Sequence, residues 1–129
     1  MRMLINKIDH IVLTVSDRER ALRFYRDVLG MDVETFGNNR LALRFGDQKI
    51  NIHVSGQEIE PHAAVPTPGS ADVCFTTTLP VAEIVEGLKK QGVAVELGPV
   101  PRTGAMGAII SVYLRDPDGN LIEIANQAE

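Results

Sequence analysis

The chain has 129 residues, a length that suits one compact domain with its own core. Its hydrophobic fraction of 44% and charged fraction of 23% are ordinary for a globular protein, and no apolar run reaches the length of a bilayer span, so no membrane partner is expected. The net charge of −4 argues against a nucleic-acid partner, which needs clustered Lys and Arg.

Met1 to Lys7 is short and mixed, without a signal-peptide core. The single cysteine, Cys74, leaves no intrachain disulfide, and a reducing cytoplasm is the expected compartment. Residues 8–15 are rich in β-branched side chains and predict a strand. Residues 17–29 switch to a helical period, with Ala21, Leu22, Tyr25, Val28 and Leu29 on one stripe. Ser16 or Asp17 can cap that helix, and Gly30 stands where a left-handed residue ends it. Strands at about 32–36, 40–45 and 49–54 follow, separated by Gly37-Asn38-Asn39 and Gly46-Asp47 turns. Residues 55–70 hold three prolines and two glycines and have no period, which predicts a linker.

After the linker the same order returns. A strand is predicted at 71–77 and a helix at 80–90, with Val81, Ile84, Val85 and Leu88 on one face. Pro80 lies in its first turn and Gly92 just beyond its end. Strands at about 93–97, 109–115 and 120–125 complete the unit, with a long loop at 98–108 and an Asp116-Pro117-Asp118-Gly119 turn. The expectation is an α+β chain, residues 1–129 as a single domain. It is built from two βαβββ modules at about 5–54 and 70–126, joined by the linker 55–69.

Side chains alternate across a strand, so parity assigns faces. Ile11, Leu13 and Val15, Ile50, Ile52 and Val54, Val73 and Phe75, and Ile122 and Ile124 are apolar and suit packing against the helices. The opposite parity carries His10, Asn51, His53, Asp72, Cys74 and Glu123, a set that reads as the inside of a cup. His10 and Asp72 stand near the start of each module's first strand, and His53 and Glu123 near the end of each last strand. If the modules pair about a pseudo-twofold axis, these four converge. Two imidazoles with one or two carboxylates suit Zn, Ni, Mn or Fe better than Ca. Each has an ordinary reading too: a strand histidine in a hydrogen bond, Asp72 bonding a turn, Glu123 solvated. Cys74 reads as a small buried residue.

Several stretches resemble one family. They are Asp9-His10-Ile11-Val12-Leu13-Thr14-Val15, Phe24-Tyr25, Leu29-Gly30-Met31, and Asp116-Pro117-Asp118-Gly119-Asn120-Leu121-Ile122-Glu123. Together they resemble the vicinal oxygen chelate superfamily of glyoxalases, bleomycin resistance proteins and extradiol dioxygenases. Phe45-Gly46-Asp47-Gln48-Lys49-Ile50-Asn51 and Gly98-Pro99-Val100-Pro101-Arg102-Thr103-Gly104 extend the likeness to glyoxalase domain-containing proteins and bacterial relatives described as virulence proteins. The resemblance implies paired βαβββ modules forming a curved mixed-sheet cup with helices outside, a divalent metal in the cup, and a homodimer. It places metal ligands at His10, His53 and Glu123. Asp72 stands where many members have histidine.

The activity implied is that of a glyoxalase-like lyase or isomerase. The metal would chelate a small vicinal-oxygen substrate, and Glu123 or Asp72 would move the proton. Thr14 stands where a glyoxalase I likeness would lead one to look for a glutathione-binding arginine. An extradiol-type dioxygenase with non-haem iron is the alternative, and a non-catalytic small-molecule or drug-binding protein a further one. Asn51 shares the face of His53 and is a candidate substrate contact. Arg102, in the loop 98–108, either fixes an anionic group on the ligand or is solvated, and Tyr113 either lines the site or packs between sheets.

Overall fold

The computed structural model describes residues 1–128. The chain forms two compact units, one from Met1 to Pro68 and one beginning at Gly69. The first holds β1 (His10–Val15), α1 (Arg18–Leu22), β2 (Asp32–Phe36), β3 (Arg40–Phe45) and β4 (Gln48–Val54). The second holds β5 (Asp72–Thr76), α2 (Val81–Lys90), β6 (Leu97–Gly104), β7 (Gly107–Arg115) and β8 (Leu121–Gln127). Each is a four-stranded mixed sheet of the same topology, β1-β4-β3-β2 and β5-β8-β7-β6. First and last strands pair in parallel and the others antiparallel, as one strand–helix–three-strand module written twice requires. No helix among the described residues is long and apolar enough to cross a membrane.

In the first unit Leu13, Val15, Leu41, Leu43, Ile50 and Ile52 share one sheet face and are buried, as the parity predicts. The helix starts where expected, with the Asp17 carboxylate accepting from Arg20 N at 2.9 Å. Its second half departs from a plain α-helix. Residues Arg23–Val28 wind as a π-helix, with Leu29 N donating to Phe24 O at 3.0 Å. Unwinding by one residue turns both Phe24 and Tyr25 inward, where their rings meet edge to face at 5.0 Å. A strict 3.6-residue stripe had included Val28 and Leu29, which are half-buried, and omitted Phe24.

In the second unit α2 buries Val81, Ile84 and Leu88. Pro80 cannot supply a capping side chain, so the helix is capped from the sheet: the Asn126 amide oxygen on β8 accepts from Val81 N at 2.8 Å. Gly92, at φ +72°, turns the chain out of the helix.

Two expectations need correction. No strand forms at 93–96, and 98–108 is not an open loop. Residues 97–104 form β6, which makes a hairpin with β7 across Ala105 and Met106. Gly98, Gly104 and Gly107 pointed to a loop, and the strand also carries Pro99 and Pro101, which cannot donate to a ladder. They are tolerated because β6 is the outer strand of its sheet. The pairing shifts between Leu97 and Val100, where Gly98 sits at φ +111°. A Cβ there would collide with the Ser111 carbonyl oxygen and come within 3.0 Å of Val112 Cα. Gly98→Ala is therefore expected to cost about 2–4 kcal/mol from backbone strain and overpacking together. Gly87→Ala, on α2 with nothing near the added Cβ, is expected to gain about 0.5–1 kcal/mol. Urea unfolding of the two variants checks both signs.

Candidate functional site

Pairing registers decide which candidate side chains share a face. In the first unit β1 and β4 run in parallel with His10 beside Lys49, Val12 beside Asn51 and Thr14 beside His53. His10, Asn51 and His53 therefore lie on one face, opposite the apolar set. His10 is exposed, and its Nδ1 lies 2.8 Å from the Asp9 carboxylate. That contact holds the ring by one nitrogen and leaves Nε2 for another partner, the arrangement common to metal-bound histidines.

His53 is the opposite case. It is 4% exposed, and neither Nδ1 nor Nε2 has a hydrogen-bond partner. Burial holds its pKa below the ordinary imidazole value, the nearby Arg40 charge adds to this, and Glu58 opposes it. The same stretch of β4 borders a pocket of about 110 Å³, shared with Arg18, Asn39, Arg40 and Gln57. A neutral imidazole offers one lone pair to a divalent ion, whereas Arg18 and Arg40 on the same pocket oppose a cation there, so carboxylates from elsewhere would have to complete such a site.

The depressed pKa fixes a sign for stability. The unfolded chain takes up this proton near pH 6.5 and the folded chain only at lower pH. Where the unfolded state holds more protons, stability rises with pH. Metal-free protein is thus expected to lose stability as pH falls from about 6.5 towards the folded-state value. His53→Gln should flatten that slope in thermal melts with a chelator present.

In the second unit β5 and β8 place Asp72 beside Leu121 and Cys74 beside Glu123, and β7 places Tyr113 on the other side of Glu123. Asp72, Cys74, Tyr113 and Glu123 thus share one face. Arg102 joins them from β6: its Nε donates to the Tyr113 hydroxyl oxygen at 3.0 Å, and its guanidinium carbon lies 5.5 Å from the ring centroid. Arg102 is therefore strand-borne and paired to Tyr113, and not a residue of an open loop. Tyr113 is half-buried with its hydroxyl engaged at that face.

Cys74 also differs from expectation, being exposed. Partial desolvation, the Glu123 charge, a hydrogen bond with Glu123 and the Asp72 charge push its thiol up to about 11. A thiol held that high is almost wholly protonated at neutral pH, which makes it a poor nucleophile there. Iodoacetamide labelling near pH 8 is expected to run about a hundredfold slower than for a free thiol of ordinary pKa, because thiolate is that much scarcer. Timed mass spectrometry checks this.

Parity thus brings His10, Asn51 and His53 together on one module, and Asp72, Tyr113, Arg102 and Glu123 on the other. Among the described residues of the chain, no three His, Cys, Asp or Glu side chains gather closely enough to hold a metal ion. Sequence reasoning overlooked Asp9 and Ser111. Ser111 is fully buried on the Tyr113 face with its Oγ unpartnered. The Asp9-His10 dipeptide was a signal for the first; a lone serine in an apolar strand gave none for the second.

Comparison with known proteins agrees with this architecture. The model of the Glyoxalase/Bleomycin resistance protein/Dioxygenase superfamily matches residues 7–124. Virulence protein STM3117 of Salmonella typhimurium is 54% identical over 125 residues, covering 97% of this chain and 87% of that one. Its crystal structure superimposes with a TM-score of 0.96 over 98% of this chain and 100% of that one. Glyoxalase domain-containing protein RDO1 of Mycosarcoma maydis is 47% identical, covering 97% of this chain and 70% of its own. Lactoylglutathione lyase from Agrobacterium tumefaciens, at 24% identity, shares the fold with a TM-score of 0.72 over 95% of each chain.

Proposed function

Because the chain belongs to the Glyoxalase/Bleomycin resistance protein/Dioxygenase superfamily, we propose that it is a divalent-metal-dependent, glyoxalase-like enzyme acting on a small substrate with two vicinal oxygens. Members of this superfamily commonly use divalent metals. The observation that carries the proposal is His53, buried, held neutral and left with both ring nitrogens unpartnered. A neutral imidazole carries one N–H and one lone pair; a cation would take the lone pair, and the N–H would take an acceptor from outside the described contacts.

The residues that would hold the ion are His10 and His53 from the first module and Glu123 and Asp72 from the second. Two copies of the chain would bring these pairs together. In support, β1 is an outer strand of its sheet, Ile11 and Val12 are exposed on it, and Ile8 is exposed just before it. An apolar edge of that kind invites a second copy. Zn, Ni, Mn and Fe all suit the donor set.

When bound, the ion supplies Lewis acidity for polarising a carbonyl. The protein supplies the rest. Glu123 would take a proton from the substrate carbon beside the carbonyl and return it to the neighbouring carbon, with Asp72 as the second carboxylate on that face. Tyr113 and Arg102, already bonded to each other, contact the far oxygen or an anionic group of the substrate.

Chelated protein reloaded with each metal in turn, then offered the methylglyoxal–glutathione hemithioacetal, tests this. Turnover is expected with at least one metal and is expected to be lost in Glu123→Gln. No turnover with any metal would reject the lyase. Oxygen uptake with catechols by the iron form would move the assignment to a ring-cleaving dioxygenase.

A further inference from the structure

The pocket beside His53 has the charge of an anion site. Its lining carries the guanidinium groups of Arg18 and Arg40, the amides of Asn39 and Gln57, and no carboxylate. Neither arginine forms an ion pair among the described residues. Arg40 stands beside His53, because Leu41 pairs with Ile52 one step further along the two strands. Its guanidinium carbon lies 4.8 Å from the Phe36 ring centroid, a contact that steadies the side chain and leaves its charge unmatched. Two unmatched guanidiniums on one cavity repel each other, and they do so on a chain whose net charge is −4, so the positive character is local. His53, 4% exposed, adds a neutral imidazole whose single N–H finds no acceptor among the described residues. Glu58, the carboxylate that acts on His53, lies outside the lining and accepts from Gly56 N at 3.0 Å.

We propose that this pocket binds the carboxylate or phosphate group of a small organic anion, with Arg18 and Arg40 pairing with its oxygens and Asn39, Gln57 and the His53 N–H completing the donor set. Arginine suits the task, because its guanidinium is always charged and presents a planar fork of donors that matches either group. Ile52 and Ile59 give the same pocket an aliphatic wall, so the ligand carries a short apolar stem behind its charged head. A single water needs about 10–15 Å³ of such space. A pocket of about 110 Å³ therefore has room for the head and a few carbons. The site goes beyond the metal-dependent function proposed above and does not rest on it. His53 can serve both, one nitrogen giving its lone pair to an ion and the other its N–H to the anion.

Calorimetric titration of the chelator-treated chain with butyrate, butyl phosphate and inorganic phosphate tests the pocket without metal. One organic anion per chain is expected to bind saturably, and the neutral butyramide is expected to give no binding heat. The tighter of butyrate and butyl phosphate identifies the head group. Butyl phosphate is expected to bind at least about fourfold more tightly than inorganic phosphate, the gain from roughly one buried methylene. Arg18→Gln and Arg40→Gln each remove a charge-assisted contact and are expected to weaken binding about 10- to 100-fold. Arg23→Gln makes the same charge change on an exposed residue outside the pocket and is expected to bind as the parent does. In NMR spectra the His53 ring signals, assigned by their loss in His53→Gln, are expected to shift on saturation of the parent. At the same anion concentration they should stay in place in Arg40→Gln.

A parent that binds neither organic anion saturably would overturn the assignment. So would an Arg23→Gln that weakens binding as much as the pocket variants, because overall charge and not the pocket would then hold the anion. Unmoved His53 signals at saturation would place the anion elsewhere and overturn it too. Inorganic phosphate binding as tightly as butyl phosphate would do the same, since the aliphatic wall would then hold nothing. All of these leave the metal-dependent function standing. A parent that takes the organic anion and binds no divalent ion removes that function and keeps this site.

Discussion

Protein carrying His53→Ala is expected to leave purification without stoichiometric metal, whereas the parent retains roughly one divalent ion per chain. The reasoning begins with burial. His53 is 4% exposed with both nitrogens unpartnered, so removing it sacrifices no hydrogen bond within the described chain. What it removes is a nitrogen ligand. Partners that merely orient ligands are worth 10- to 100-fold in affinity, so loss of a ligand should exceed about a hundredfold. At saturating metal, a hundredfold weaker affinity forfeits about 2.7 kcal/mol of ligand-linked stability. Melting curves with and without chelator should therefore differ strongly for the parent and hardly at all for the variant. Asp9→Ala is the graded control. Asp9 holds His10 Nδ1 at 2.8 Å, so its loss should weaken metal binding about tenfold without abolishing it. Elemental analysis of protein purified without chelators reads all three. Full metal occupancy in His53→Ala would end the metal assignment at this residue.

Most of this arrangement is legible in the sequence because strand parity is a strong rule. Once β1, β4, β5 and β8 are placed, His10, Asn51 and His53 must share a face, as must Asp72, Cys74 and Glu123, and the registers agree. What parity cannot see is distance between strands far apart in the chain. The bond from Arg102 to Tyr113 depends on β6 being a strand, and Gly98, Gly104 and Gly107 read as a loop over that stretch. Its two prolines are permitted only because β6 is outermost, a property of the sheet and not of the local sequence. The π-helical stretch at Arg23–Val28 escaped for a related reason. A fixed 3.6-residue period leaves Phe24 off the apolar stripe, and only the packed structure shows it buried. The Asn126 cap on α2 joins residues 45 apart, beyond any capping rule read along the chain.

The Asp116–Asn120 turn was equally visible in the sequence, but its energetic weight was not, and Asn120→Ala is expected to be among the most destabilising single changes in the protein. Asn120 is fully buried, and Asp116 is 6% exposed. The Asn120 side-chain amide donates to Asp116 Oδ2 at 2.7 Å, and its backbone N–H donates to Asp116 Oδ1 at 2.9 Å. Its amide oxygen accepts from Ala71 N at 2.8 Å, while Leu121 N donates to Ala71 O at 3.0 Å. One side chain thus ties the β7–β8 turn to the start of β5, next to Asp72. Alanine would leave the part-buried Ala71 N–H without its acceptor and take from the Asp116 carboxylate a charge-assisted bond. These two losses together cost about 3–5 kcal/mol. For a protein stable by about 5–15 kcal/mol that is a large fraction of the total. Urea denaturation should show a lower midpoint at unchanged slope. Asn120→Asp should be at least as damaging, because it sets a second carboxylate against Asp116 where an amide donor stood. A loss below about 1 kcal/mol in Asn120→Ala would mean that water replaces the amide at this turn, and that the buried clamp does not hold β5 to β8.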